Sequence, residues 1–238
     1  MQPSSHPGDP GPLARPTTVD LLVRVYCWLS DQVYRHFAGV FDLLTRLLTA
    51  GRFPRWRRIA RDYLPTDQVL DLACGTGQLL REWPADSRRL VGIDLSPGMA
   101  AVFRQRARGG RHSAVMVLAS AERLPFRDRS FKAAVATFPT RFLSDPIVLR
   151  EAARVLRTDG ERSGRLVVVG LHLVARQALL QKALSALYGA PSADLRARFA
   201  RQVEAAGLIF QVVEQPGETI QPALYLATLP EADHHDAL

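Results

Sequence analysis

The chain has 238 residues, enough for one large domain or two small ones. Its hydrophobic content of 47% is ordinary for a globular protein. No uncharged apolar run reaches about 18 residues, so no membrane-spanning helix is expected. The formal net charge is +8, and Lys132 and Lys182 are the only lysines among 31 basic residues. A basic surface for nucleic acid or an anionic membrane is one reading of that charge. The arginines are spread along the chain rather than packed in one tract, which favours a composition bias with solvated helix faces. Cys27 and Cys74 are the only cysteines, so no disulfide framework is implied and a cytoplasmic protein is expected. There is no asparagine, which excludes any motif that needs one.

The proline-rich start, residues 1–16, lacks the apolar segment of a signal peptide and reads as a disordered tail. Thr17 and Asp20 fit a capping box, and apolar residues then recur at helical spacing from Leu21 to Leu48. Gly39 divides this stretch into two helices, and Gly51 with Pro54 ends the second. A further helix is expected over about 55–64. Together these form an N-terminal helical cap.

After Pro65 the pattern alternates between short apolar runs and amphipathic stretches. Strands are expected near 68–73, 90–94, 114–118, 133–138 and 166–170, with helices near 76–82, 97–108 and 145–156. Such alternation predicts a parallel, doubly wound Rossmann-like sheet covered on both faces. Helices over about 174–188 and 192–206 follow. Two apolar runs, 208–214 and 223–228, complete a mostly parallel seven-stranded sheet. The expected organisation is one domain over 17–230 (cap 17–64, α/β core 65–230) and a polar tail from 231 to 238.

In open α/β sheets, ligands bind beyond the carboxyl ends of the strands. The run Val69-Leu70-Asp71-Leu72-Ala73-Cys74-Gly75-Thr76-Gly77 ends a strand on a glycine-containing turn, and Leu90-Val91-Gly92-Ile93-Asp94 ends the next strand on a carboxylate. Gly75 and Gly77 permit backbone angles other residues avoid, and an acid at Asp94 can accept both hydroxyls of a ribose. A dinucleotide fingerprint would need a third glycine, where Leu80 stands. Asp71 also faces the ligand zone, and a carboxylate there suits an ammonium or a sulfonium better than a pyrophosphate.

On these residues the chain resembles the class I S-adenosylmethionine-dependent methyltransferases. Asp71 to Gly77 is similar to the family's first motif, Asp94 to its ribose-binding acid, and Ser96-Pro97-Gly98-Met99 to the following turn. Ala119-Ser120-Ala121-Glu122-Arg123-Leu124-Pro125-Phe126 is similar to its third cofactor segment. The resemblance implies S-adenosylmethionine as cofactor, with Asp71, Ala73, Gly75, Gly77, Asp94, Leu95, Met99, Ser120, Ala121, Glu122 and Thr137 around it. It implies no metal.

The chain departs from the family pattern at four places. Ala73 replaces a glycine and Ser120 an acid. The serine accepts a hydrogen bond worth about 0.5–1.5 kcal/mol, against roughly 1.5–3 for a charged acceptor. Lys132 replaces the acid expected after Phe131, and the loop from Thr158 to Gly164 is lengthened.

After the fourth strand, Thr137-Phe138-Pro139-Thr140-Arg141-Phe142 lacks the Asn/Asp-Pro-Pro-aromatic motif of the adenine and glutamine N-methylating members. It looks more like the ubiquinone/menaquinone-biosynthesis branch, as do Val40 to Leu48 and Arg55-Trp56-Arg57-Arg58. That branch implies C- or O-methylation of a small or lipidic acceptor, such as a quinol. An aromatic-bearing cap (Tyr26, Trp28, Phe37, Phe41) flanked by arginines suits an acceptor drawn from a membrane surface. His172, just past the fifth strand, is a candidate base, and Arg141 a second candidate for the chemistry. Phospholipid N-methylation, RNA methylation and a scaffold without transfer chemistry are the competing readings, and no nucleic-acid partner is expected.

Overall fold

Strands form where aliphatic residues recur, and in this chain the central ones, at 69–72, 133–137 and 166–169, are largely buried, while those at 115–118 and 209–213 are partly exposed. In the computed structural model, described over residues 52–83, 90–107, 114–139, 141–158, 163–175, 193–215 and 220–231, they make one seven-stranded sheet. The strands are β1 (Val69–Leu72), β2 (Leu90–Asp94), β3 (Val115–Leu118), β4 (Ala133–Thr137), β5 (Arg165–Ala175), β6 (Ile209–Val213) and β7 (Ile220–Thr228). Their order across the sheet is β3-β2-β1-β4-β5-β7-β6. All neighbours run parallel except β7, which is antiparallel to both β5 and β6. The mostly parallel, doubly wound α/β sheet expected from the alternation is therefore present.

The two-residue period of a strand sends alternate side chains to opposite faces. In β4 and β5, Ala134, Ala136, Leu166 and Val168 join one core, and Ala133, Val135, Val167 and Val169 the other. The first face is covered by α4 (Pro146–Val155) through Val148, Leu149, Ala152 and Val155, and by α5 (Ala193–Ala205) through Phe199 and Val203. The second is covered by Leu79 and Leu80 of α2 (Gln78–Arg81), Phe103 of α3 (Pro97–Ala107), and Ala60. The alanines of β4 keep the central strand thin enough for both layers to close on it.

Helix starts follow capping chemistry. The Asp145 carboxylate accepts the Ile147 N–H at 2.8 Å, with Pro146 opening α4. Ser96 Oγ accepts the Met99 N–H at 3.3 Å at the start of α3.

The structure moves several expected boundaries. The helix expected over 55–64 begins earlier, with Pro54 in the first turn of α1 (Phe53–Arg58), and Ile59–Tyr63 tightens into a 3₁₀ turn. A proline's missing N–H is tolerated in a first turn, which is why it marks a start here. Strand β5 runs on to Ala175, so residues 174–175 of the expected 174–188 helix are strand. They pair with Gln221 and Ile220 of β7, and that long-range pairing overrides the local helical pattern. Residues 176–192, the cap helices before residue 52 with Tyr26, Cys27, Trp28, Phe37 and Phe41, and both expected tails except Glu231 lie outside the described residues. No described helix is long and apolar enough to cross a membrane.

Candidate functional site

The sheet reverses its winding between β1 and β4, and the carboxyl ends of the strands open there into a cavity of about 590 Å³. That size lies within the range of small-molecule sites, roughly 300–1,000 Å³. Asp71, Ala73, Gly75, Asp94, Leu95, Met99, Ser120, Ala121, Glu122 and Thr137 all line it. Residues from four segments of sequence thus converge on one cavity.

The first wall is the turn after β1. Ala73, Gly75 and Gly77 take left-handed angles, with φ of +53°, +57° and +69°. The Cys74 N–H donates to the Ile93 carbonyl at 2.8 Å, and the Gly77 N–H to the Cys74 carbonyl at 2.9 Å. A Cβ on Gly75 would meet nothing within 4 Å, so the backbone there is open to a ligand. Gly77 alone of the expected set does not line the cavity. Its missing Cβ makes room for the Phe103 ring, whose Cδ2 would lie 2.2 Å from it. Gly77 shapes the turn by letting α3 close on it.

Asp94 ties the second strand end to that turn. Its Oδ2 accepts the Gly75 N–H at 2.9 Å and its Oδ1 the Ser96 N–H at 2.8 Å. The Leu95 N–H is a third backbone donor to the group, and with about four acceptor sites the carboxylate still has capacity to accept from a ligand. Burial raises its pKa, opposed by those backbone N–H groups.

Asp71 is 1% exposed, and its Oδ1 has no hydrogen-bond partner among the described residues. Burial pushes its carboxyl up to about 8, with Arg57 pulling it down and Asp94 adding to the rise. Arg57, from α1, is itself buried at 3% exposure, lines the cavity and pairs with Glu82. The sequence marked Arg57 only as one of a basic run; nothing local distinguishes it from exposed Arg55 and Arg58.

The third wall is the loop after β3. Ser120 Oγ accepts the Glu122 N–H at 3.2 Å, so the serine shapes its own turn. That loop is braced from α4, a support the sequence reading missed. Glu151 Oε2 accepts the Leu124 N–H at 2.8 Å, and Arg154 donates to the Phe126 and Leu124 carbonyls. Arg154 also bonds Glu151 and Asp128. Its hydrogen bond to Glu151 lowers the Glu151 pKa. A Glu–x–x–Arg pair on one helix face was the available signal.

The fourth wall carries Thr137, Phe138, Pro139 and Phe142, with Val148. Arg141 opens the 3₁₀ turn Arg141–Ser144, and His172 lies on β5. The side chains of both lie outside the described residues.

A methyltransferase-domain family profile matches residues 69–160. Over 206 residues the chain is 35% identical to a demethylmenaquinone methyltransferase of Mycolicibacterium gilvum, an alignment covering 74% of this chain and 86% of that one. The chain belongs to the class I S-adenosylmethionine-dependent methyltransferases. The chain is also 40% identical over 139 residues to a ubiquinone/menaquinone biosynthesis C-methyltransferase of Citrifermentans bemidjiense, covering 54% of this chain and 59% of that one. It thus spans about 60% of the length of several curated relatives it matches. Among solved structures, a Methanococcus maripaludis protein described as an S-adenosyl-L-methionine-dependent methyltransferase matches with a TM-score of 0.61 at 16% identity, covering 83% and 94% of the two chains. Geranyl diphosphate C-methyltransferase of Streptomyces coelicolor, solved with S-adenosyl-L-homocysteine, matches with 0.54 at 18%, covering 79% and 82%. These likenesses establish the fold.

The cavity fits the family's cofactor. An unpartnered buried carboxylate oxygen suits the ligand's ammonium, the open Gly75 backbone admits close approach, and Asp94 keeps free lone pairs for a ribose.

Proposed function

We propose that this methyltransferase acts on a ring carbon of a quinol-type acceptor, carried on a small or lipidic molecule. The observation that carries the reading is the convergence of Asp71, the left-handed Ala73–Gly77 turn and Asp94 on one cavity whose far wall is aromatic. The names of the relatives, a ubiquinone/menaquinone biosynthesis C-methyltransferase and a demethylmenaquinone methyltransferase, support the acceptor class.

When bound, the cofactor supplies a methyl group on a cationic sulfur for in-line displacement. Asp94 would hold the ribose hydroxyls, and Met99, Leu95, Ser120, Ala121 and Glu122, which line the same cavity, would surround the adenine. Asp71 receives the ammonium, with Ala73, Gly75 and Thr137 beside it, and Gly77 acts through the shape of the turn. These residues hold the reacting atoms close and aligned, which lowers the barrier by several kcal/mol. The aromatic wall of Phe138, Pro139 and Phe142 would hold the acceptor ring against the cofactor end of the cavity. The acceptor's ring proton would pass to a base, for which His172 is the candidate, and Arg141 is the candidate for steadying a developing oxyanion.

A lipidic acceptor implies contact with a bilayer. A second cavity of about 490 Å³ is lined by Arg55, Arg58 and Arg61 with Trp83, and the Arg61 guanidinium lies 5.7 Å from the Trp83 ring centre. This face supports peripheral contact of a cytoplasmic protein with anionic headgroups. Cosedimentation with phosphatidylglycerol vesicles that disappears at high salt is expected.

The acceptor reading is tested by supplying labelled S-adenosylmethionine and a reduced short-chain 2-unsubstituted naphthoquinol. Label on the ring carbon is expected. Label that instead appears only on phosphatidylethanolamine or RNA would replace the reading.

A further inference from the structure

Phe138 follows the last residue of β4 and lines the cavity, yet its φ is +52°. A bulky aromatic residue in the left-handed region is a genuine outlier. Such strain persists only where the surroundings fix it, and it concentrates at functional walls. Here the surroundings are specific. The Phe138 N–H donates to the Val169 carbonyl at 2.6 Å, which pins the backbone to β5. The next residue of β5 is Gly170, itself at φ +82°. A Cβ there would lie 2.3 Å from Phe138 Cδ1 and 2.5 Å from Cε1, so the ring occupies the space a side chain would take. Strand β5 loses its register with β7 just beyond, between Val169 and Leu173, the bulge that lets a left-handed glycine sit within a strand. The Trp56 ring, 6.4 Å away and tilted by 34°, closes a further side.

Position completes the argument. Asp94 ends β2 and Phe138 follows β4, with β1 between them. Two strand spacings separate these ends by about 10 Å. The ring therefore stands across the cavity from the ribose-binding acid.

We propose that Phe138 is the specificity-determining wall for a flat aromatic acceptor, and that Gly170 is the positioning residue that admits its ring. This rests on the cofactor reading above and names a second, separable half of the site. The missing side chain at Gly170 sets the depth of the ring, and the ring sets the width left for the acceptor.

Gly207 provides the control. Its φ of +81° nearly equals that of Gly170, but a Cβ there meets nothing within 4 Å. Gly207→Ala therefore carries the backbone strain alone, and Gly170→Ala carries the strain plus displacement of the ring. The experiment titrates 1,4-naphthoquinone, which is unreactive to methyl transfer, into the full chain with and without S-adenosylhomocysteine, for the wild type, Gly170→Ala, Gly207→Ala and Phe138→Leu. Gly170→Ala and Phe138→Leu are each expected to weaken naphthoquinone about tenfold, as loss of an aromatic face should. S-adenosylhomocysteine affinity should stay within about twofold, because the ring touches the other end of the site. Gly207→Ala should change neither affinity. Unchanged naphthoquinone binding in Phe138→Leu, or an equal loss of both ligands in it, overturns the proposal even if Gly170→Ala does not fold. Failure of the wild type to bind S-adenosylhomocysteine overturns the cofactor reading instead, and the naphthoquinone arm without cofactor still decides this one.

Discussion

The two ends of the cavity are built by different means. At the cofactor end, backbone geometry does most of the work: left-handed residues at Ala73, Gly75 and Gly77, and a carboxylate that ties Gly75 to Ser96. At the acceptor end, rings do it: Phe138, Phe142 and, behind them, Trp56. The first end comes from two neighbouring strand–turn units. The second needs α1, the end of β4 and the bulge of β5 to meet. Under the proposed function, a nucleoside with fixed hydrogen-bonding groups would be held by backbone, and a variable apolar acceptor by replaceable side chains.

If the cofactor end is built this way, its keystone is Asp94. Asp94→Ala should weaken S-adenosylhomocysteine by roughly 1.5–3 kcal/mol, the worth of hydrogen bonds to a charged group, as read by calorimetry. Naphthoquinone binding without cofactor should hardly move. Equal loss of both ligands would mean that the two ends are one unit.

Gly77→Ala tests whether the turn depends on helix approach. Its Cβ meets the Phe103 ring in a left-handed conformation, so overpacking of about 1–3 kcal/mol is expected. Denaturant melts would show it as a lower midpoint with an unchanged slope.

Asp71 makes the cofactor end sensitive to pH. Its folded pKa of about 8 lies above the ordinary 3.8, so between those values the folded state holds a proton that the unfolded chain has lost. Stability from this group is full below about pH 4 and is lost as pH rises through about 8. Asp71→Asn should flatten that part of the profile and raise stability near pH 8. A bound ammonium should expel the proton, so the binding enthalpy of S-adenosylhomocysteine near neutrality should depend on the buffer in the wild type and not in the variant.

The smallest effect is expected at Ala73. A non-glycine residue at φ +53° costs roughly 1–2 kcal/mol, and glycine returns part of that through the entropy of its unfolded chain. Ala73→Gly should therefore raise stability by no more than about 1 kcal/mol. A decrease would mean that the alanine methyl contributes to the site.

Much of the cavity lining was legible in the sequence because its residues sit at strand ends, where the two-residue period and the turn chemistry mark them. Asp71 to Gly77 and Asp94 were readable for that reason. Arg57 was not, since helical spacing cannot tell which arginine of Arg55-Trp56-Arg57-Arg58 turns inward. Nor was Gly170, because its meaning depends on a ring thirty-two positions earlier in the chain. The length of β5 was hidden by the same kind of distance, its last residues being held by β7. Gly77 was legible as a glycine of the turn, but its reason lies in Phe103.

The place of β7 has a consequence for how the protein is made. It is the last of the described strands in sequence, yet it lies inside the sheet, between β5 and β6. Until residues 220–228 have left the ribosome, β6 has no strand to pair with and β5 exposes an open edge. The nascent chain must therefore wait with a template-like edge uncovered. Removing this strand should cause the protein to aggregate, although not one of the cavity-lining residues would have been touched.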